Sequence, residues 1–235
     1  MKALYPLGTG STWNNNELRY SLRSLQCISD LSGVIVVGDD PGFLSDDVTF
    51  IPNHRIFSNP AQGIFENILA ACQDEMTPEN FLLVNDDYFF TAEIQAATYP
   101  YYHLGQTKDR LKNCSGEYYN HLFVTQEELK RRGLPTLNFD SHYPMIVEKS
   151  KVLQLAEMYD WNRQHGFTFK SIYCNTFGIE GEYRADCKVN ASHPLEWWLE
   201  FASQREMFSI GDLAINEGLI EFLRQMWSEK CRFET

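Results

Sequence analysis

The sequence predicts an α/β fold built on a mainly parallel sheet. Over the first ninety residues, short apolar strands and amphipathic helices alternate as strand, helix, strand, strand, helix, strand, the rhythm of βαβ units. The last of these strands runs straight into Asn85-Asp86-Asp87, and open sheets of this kind bind ligands beyond the carboxyl ends of their strands. With 235 residues, 43% hydrophobic and 14% aromatic, the chain can bury a substantial core in one large domain, or in a domain with a subdomain. Disordered, collagen-like, coiled-coil and small disulfide-stapled classes are excluded.

Residues 2–7 (KALYPL) form the first strand. Gly8, Gly10 and Ser11 follow as a loop that lets backbone approach a ligand closely. Asn14 to Asn16 can cap the next helix, with Glu17 in its first turn. Leu18, Leu22 and Leu25 recur at helical spacing and mark its buried face, and Arg19 and Arg23 stand one turn apart beside that face. Residues 33–38 (GVIVVG) make the second strand, closed by the turn Asp39-Asp40-Pro41-Gly42, and residues 48–51 make the third. Ser58-Asn59-Pro60 starts a helix whose inner side carries Ile64, Ile68 and Ala71, with Leu69 and Cys72 adjoining. Residues 81–84 are the fourth strand.

The remainder is less regular. Residues 97–121 hold Tyr99, Tyr101, Tyr102, Tyr118 and Tyr119 with two histidines and no period, and read as an inserted strand-and-loop section over the site. Thr125-Gln-Glu-Glu128 is patterned as a helix start. Residues 148–160, 194–204 and 212–228 read as amphipathic helices, the last capped by Asp212.

Charge and cysteine usage narrow the function. Twenty basic residues against 32 acidic give a net charge of -12, a poor match to nucleic-acid backbones or anionic membrane surfaces. The one dense basic run, Lys130-Arg131-Arg132, precedes Gly133-Leu134-Pro135 and reads as a solvated helix end. Six cysteines form no CxxC pair and fit no zinc spacing. The longest apolar runs are too short to cross a bilayer, and no leader pattern opens the chain. The expectation is a soluble cytoplasmic protein with reduced thiols, in which the sequons at Asn113 and Asn190 are chance matches.

Asn85-Asp86-Asp87 is the sharpest chemical signal. Two adjacent carboxylates after a buried strand are costly unless something neutralises them. A divalent cation does so and in turn binds phosphate oxygens, as in the acidic motifs of GT-A-type nucleotide-sugar transferases. The alternative is a strand-end turn whose aspartates cap backbone N–H groups. His142, in Asp140-Ser-His-Tyr-Pro144, can act as a base near neutral pH or donate to a phosphoryl oxygen, or serve as an ordinary loop residue. Glu66 lies mid-helix between Phe65 and Asn67, where a solvated face is the simpler account. Arg19 and Arg23 could neutralise phosphates or form helix salt bridges.

Taken together, these pieces resemble the Stealth family, which contains bacterial capsular-polysaccharide hexose-1-phosphate transferases and the catalytic part of animal N-acetylglucosamine-1-phosphotransferase. NNELRYSLRSL (15–25) is similar to the family's ELRYSLRS block, and FLLVNDDYFF (81–90) to its block ending in Asn-Asp-Asp and Phe. SHYPMI (141–146) carries the family's His-x-Pro, while MFSIGD (207–212) and MWSEKCRFE (226–234) stand for its fourth region. ALYPLGTGST (3–12) is a partial match to the first region, lacking its Trp and final Asp. The resemblance implies catalytic or metal-linked roles for Asp87 and its neighbour Asp86, a catalytic role for His142, and one for Glu66. It also implies that Lys170 stands near a family arginine and Asp212 at a family aspartate, with Gly211 in place of the preceding Asn.

The expectation is therefore a GT-A-like α/β transferase with flanking helices, an inserted β/loop section and a helical C-terminal part. Residues 1–96 would be its nucleotide-sugar-binding half and residues 97–235 its acceptor-side half. With Mg2+ or Mn2+ it would move a sugar-1-phosphate, or a sugar, from a nucleotide sugar to a hydroxyl acceptor on a glycan. Glu66, Asp87, His142 and Lys170 would be catalytic. Gly8, Gly10, Ser11, Arg19, Arg23 and Asp212 would bind the nucleotide sugar, and Asp86 and Asp87 the metal. Two alternatives stand beside it: a GT-A glycosyltransferase that releases a nucleoside diphosphate and modifies DNA or protein, and a non-catalytic carbohydrate- or nucleotide-binding protein.

Overall fold

The computed structural model describes residues 1–54 and 59–235. The chain starts with β1 (Lys2–Leu7), α1 (Asn16–Ser24), β2 (Gly33–Gly38) and β3 (Val48–Pro52), then α2 (Pro60–Gln73) and β4 (Asn80–Leu83). After β5 (Tyr88–Phe90) and β6 (Tyr102–His103) come α3 (Thr107–Arg110), α4 (Gly116–Arg131), β7 (Met145–Glu148), α5 (Lys149–Met158) and α6 (Phe169–Thr176). The last part holds β8 (Glu182–Tyr183), β9 (Lys188–Val189), α7 (Leu195–Ser203), β10 (Met207–Ile210) and α8 (Glu217–Met226).

The main sheet has the order β3-β2-β1-β4-β7. Its first four strands are parallel, and β7 closes it antiparallel to β4. This is the mainly parallel α/β arrangement that the sequence predicts. The alternation of β1 explains its two layers. Ala3, Tyr5 and Leu7 pack with Leu18, Leu22 and Leu25 of the α1 side. Leu4 points the other way, toward Phe65, Ile68 and Ala71 of α2 and on to α5 and α6. Smaller sheets, β5-β10-β9 and β6-β8, stand beside it. A third cluster joins Phe89 and Phe208 to Trp198, Phe222 and Trp227 of the C-terminal helices. The 97–235 half also completes the main sheet, since Met145 and Val147 pair beside Leu83 and Phe81.

Several local expectations change. No side chain of Asn14 to Asn16 caps α1: Asn14 and Asn15 take left-handed backbone, φ 53 and 56, which asparagine tolerates better than most residues. The Ser11 hydroxyl instead accepts from the N–H groups of Trp13 and Asn15. The start of α2 is capped by Asn59, whose side chain accepts from Gln62 N–H, with Pro60 at the first helical position; Ser58 lies outside the described residues. Ile64 is exposed rather than on the buried face, which Phe65 takes. Strand β6 and loop fill the first part of the Tyr-rich section, but helix α4 begins at Gly116, so Tyr118 and Tyr119 are helical and Thr125 sits mid-helix, its hydroxyl donating to the His121 carbonyl. At the C-terminal helix the cap is Asn216, accepting from Leu219 N–H, while Asp212 opens a separate short turn.

Candidate active site

The carboxyl end of the main sheet opens on a cavity of 1110 Å³. Gly8 to Ser11 after β1, Asp39 after β2 and Asn53 and His54 after β3 form one side of it. Gly63, Ile64 and Asn67 of α2 lie along it. Asn85, Asp86 and Asp87, where the chain leaves the main sheet for β5, form the other side with Glu17, Lys188, Asn190 and residues 210–213. Gly38, behind the lining residues Leu7 and Asn67, lets them come together. At φ +122, a Cβ there would lie 2.0 Å from the Leu7 carbonyl oxygen and 2.7 Å from Asn67 Nδ2, so no other residue lets β2, β1 and α2 meet so closely. Gly8 and Gly10 differ, because a Cβ on either would meet nothing within 4 Å. The loop faces open space.

The carboxylates of this cavity carry more charge than their neighbours satisfy. Asp87 Oδ2 accepts from Ser209 Oγ at 2.9 Å and from Lys188 Nζ at 3.3 Å. Asp87 Oδ1 and Glu17 Oε2 are buried and have no partner among the described residues. Glu17 is 7% exposed. Asp86 is pushed up to about 7, by burial first and then by the charges of Asp87 and Glu17. Among the described residues no three carboxylate, imidazole or thiol side chains form a ready-made metal cluster. A Mg2+-type cation held by one or two carboxylates, with water and ligand phosphates completing its shell, needs none. The unpartnered Asp87 and Glu17 oxygens fit that donor set.

The other residues singled out from sequence fall in three places. Asp212 lines the cavity beside Gly8, Gly10 and Ser11, and takes a 3.4 Å bond from the Thr12 hydroxyl. His142 does not line it. Its Nδ1 lies 2.8 Å from Asp186 Oδ2, and its N–H donates to Asp186 Oδ1, two residues before Lys188. Burial would raise the Asp186 carboxyl, but the bonds from His142 and backbone hold it below its usual range. An ionised carboxylate only accepts, so Nδ1 carries the proton in this pair. Glu66 is half-buried on α2 and does not line the cavity either.

Arg19, Arg23 and Lys170 are not brought to the cavity. Both arginines bind Glu234, whose side chain is fully buried, and Arg23 also donates to the Trp227 carbonyl. Lys170 is buried, with its ammonium on Tyr88 Oη and on the Ser141 and Tyr143 carbonyls. All three of its donors are used, and burial lowers its pKa. It grips the backbone on each side of His142. No residue of 97–121 lines the cavity, so that section does not cover it. Glu17, Asp186 and Lys188 escape sequence reasoning; only the ELRYSLRS match touches one of them, Glu17.

No family model matches the chain, and no curated protein matches it. A solved structure that does match is that of a glycosyltransferase involved in the glycosylation of the major capsid of PBCV-1. It is 11% identical, and the match covers 97% of this chain and 98% of that one at a TM-score of 0.41. Among the described residues no helix is long and apolar enough to cross a membrane.

Proposed function

We propose that the protein is a nucleotide-sugar-dependent transferase whose donor lies in the cavity at the carboxyl end of the main sheet. One observation carries the reading: the Gly8–Ser11 loop lines one large cavity at that end together with Asp87 and Glu17, each of which keeps a buried oxygen without a partner among the described residues. The nucleoside would sit toward Asp39 and Asn53, where an acidic residue after the second strand accepts from ribose hydroxyls. The phosphates would sit by the Gly8–Ser11 backbone and Lys188. Asp86 and Asp87, with Glu17 beside them, would hold a divalent cation, Mg2+ or Mn2+. When bound, it supplies positive charge to the phosphate oxygens.

His142, its Nδ1–H fixed on Asp186, would be the base for an acceptor hydroxyl approaching from outside the donor cavity, on the Asp186 side of Lys188, with Lys170 positioning its loop. The Stealth-like motifs favour transfer of a sugar-1-phosphate to a glycan hydroxyl. The acceptor oxygen then bonds to the sugar-bound phosphorus, the bridge to the other phosphate breaks, and a nucleoside monophosphate leaves. A second reading is favoured by Lys170. At the place of a family arginine it is spent on two carbonyls and a tyrosine, so it supplies no charge to a phosphoryl group. In that reading the acceptor oxygen bonds to the anomeric carbon, the carbon–oxygen bond to phosphate breaks, and a nucleoside diphosphate leaves.

Asp87→Ala tests the site. It is expected to abolish turnover while the melting temperature stays close to wild type, because the substitution removes surplus buried charge. A large loss of stability with residual turnover would reassign Asp87 as a turn cap.

A further inference from the structure

Lys188 stands on β9, the edge strand of the second sheet. Its ammonium makes one long 3.3 Å contact with Asp87 Oδ2, an oxygen already bonded by Ser209. The side chain is 31% exposed and lines the cavity. Gly211 admits it: a Cβ there would lie 3.3 Å from Lys188 Cε and 2.2 Å from Asn190 Oδ1. The result is a flexible cation on a loose contact, over a carboxylate whose second oxygen has no partner among the described residues. A divalent cation drawn to Asp87 would meet this ammonium. The two repel and share one carboxylate. A diphosphate attracts both.

We infer that Lys188 is a phosphate-binding residue that competes with the divalent cation for Asp87 until nucleotide arrives. Without nucleotide it rests on Asp87 and weakens cation binding. With nucleotide it moves to the phosphate oxygens, so cation and nucleotide bind together better than either does alone. The inference rests on the nucleotide-sugar reading above.

The test titrates Mn2+ alone into wild-type and Lys188→Met protein, with free Mn2+ followed by its spin-resonance signal. Uridine, guanosine, cytidine and adenosine diphosphates are then titrated by calorimetry with Mn2+ present. Lys188→Met is expected to bind Mn2+ about tenfold more tightly and the preferred diphosphate about tenfold more weakly. Lys188→Arg should keep the diphosphate affinity. Lys188→Gln should give the same opposed shifts as Lys188→Met and replaces it if that variant does not melt cooperatively. Mn2+ affinity unchanged or lowered in the neutral variants, or diphosphate affinity unchanged, overturns the inference and leaves the nucleotide site standing. Wild-type protein that binds neither Mn2+ nor any diphosphate overturns both.

Discussion

Two buried carboxylates beside α1 have opposite surroundings. Glu234, near the C-terminus, is gripped by Arg19 and Arg23 and accepts the Cys231 N–H, so its charge is matched. Glu17, at the start of the same helix, keeps an unpartnered oxygen in a cavity that it shares with Asp86 and Asp87. A charge-matched cluster holds two segments of chain together. An unmatched one whose free oxygen is shut away from solvent is costly for folding, and a bound cation would offset that cost. The two carboxylates do different jobs: one joins α1 to the C-terminal segment, the other lines the cavity.

That contrast can be broken from the Glu234 side. Glu234→Gln strands two arginines and is expected to lower stability by about 3–5 kcal/mol, read as a drop in the denaturation midpoint without loss of donor binding in the folded fraction. A near-neutral result would mean that the arginines are not what secures the C-terminal segment. Lys170→Met comes next. It leaves two buried carbonyls and a tyrosine hydroxyl short of a donor, and is expected to cost about 2–3 kcal/mol. It should also lower turnover through the displaced His142 loop, with nucleotide affinity retained. Full turnover in this variant would remove Lys170 from any positioning role.

The smallest effect is in acid. Burial would raise the Glu234 carboxyl, but Arg23 and the Cys231 N–H hold it below its ordinary value of 4.5. A carboxylate lowered by folding adds stability that is complete above the unfolded value and disappears as pH falls through the folded one. The stability gap between wild type and Glu234→Gln should therefore be full at neutral pH and narrow below about pH 4.5. A gap that stays constant to pH 3 would place the effect in packing rather than charge.

The first half of the chain is legible because its strands alternate between two helix layers, so β1 to β4 and α1 announce themselves in apolar spacing. The later helices are harder. Seven of the eight residues of α6, Phe169 to Asn175, are buried, and a helix covered on nearly all sides shows no amphipathic stripe. Helix α4 starts at Ser115-Gly116 with no side-chain cap bond, so the stronger-looking pattern at Thr125 misplaces its beginning. The site divides in the same way. Asp86, Asp87 and the glycine loop are visible because they end strands that the pattern reveals. Lys188 and Asp186 sit on or beside a two-residue strand, and their positions depend on pairing with β10, which no local spacing encodes. Arg19 and Arg23 mislead for the same reason, since their partner lies more than two hundred residues away.

The unmatched carboxylates are proposed to serve a nucleotide-sugar donor. The most direct test of that role incubates purified protein and Mn2+ or Mg2+ with a panel of nucleotide sugars and mixed hydroxyl acceptors, and identifies the released nucleotide by mass. Metal-dependent release that is lost in Asp87→Ala is expected: a monophosphate if the chemistry is at phosphorus, a diphosphate if it is at the anomeric carbon. No release from any donor, together with no nucleotide binding, would contradict that role.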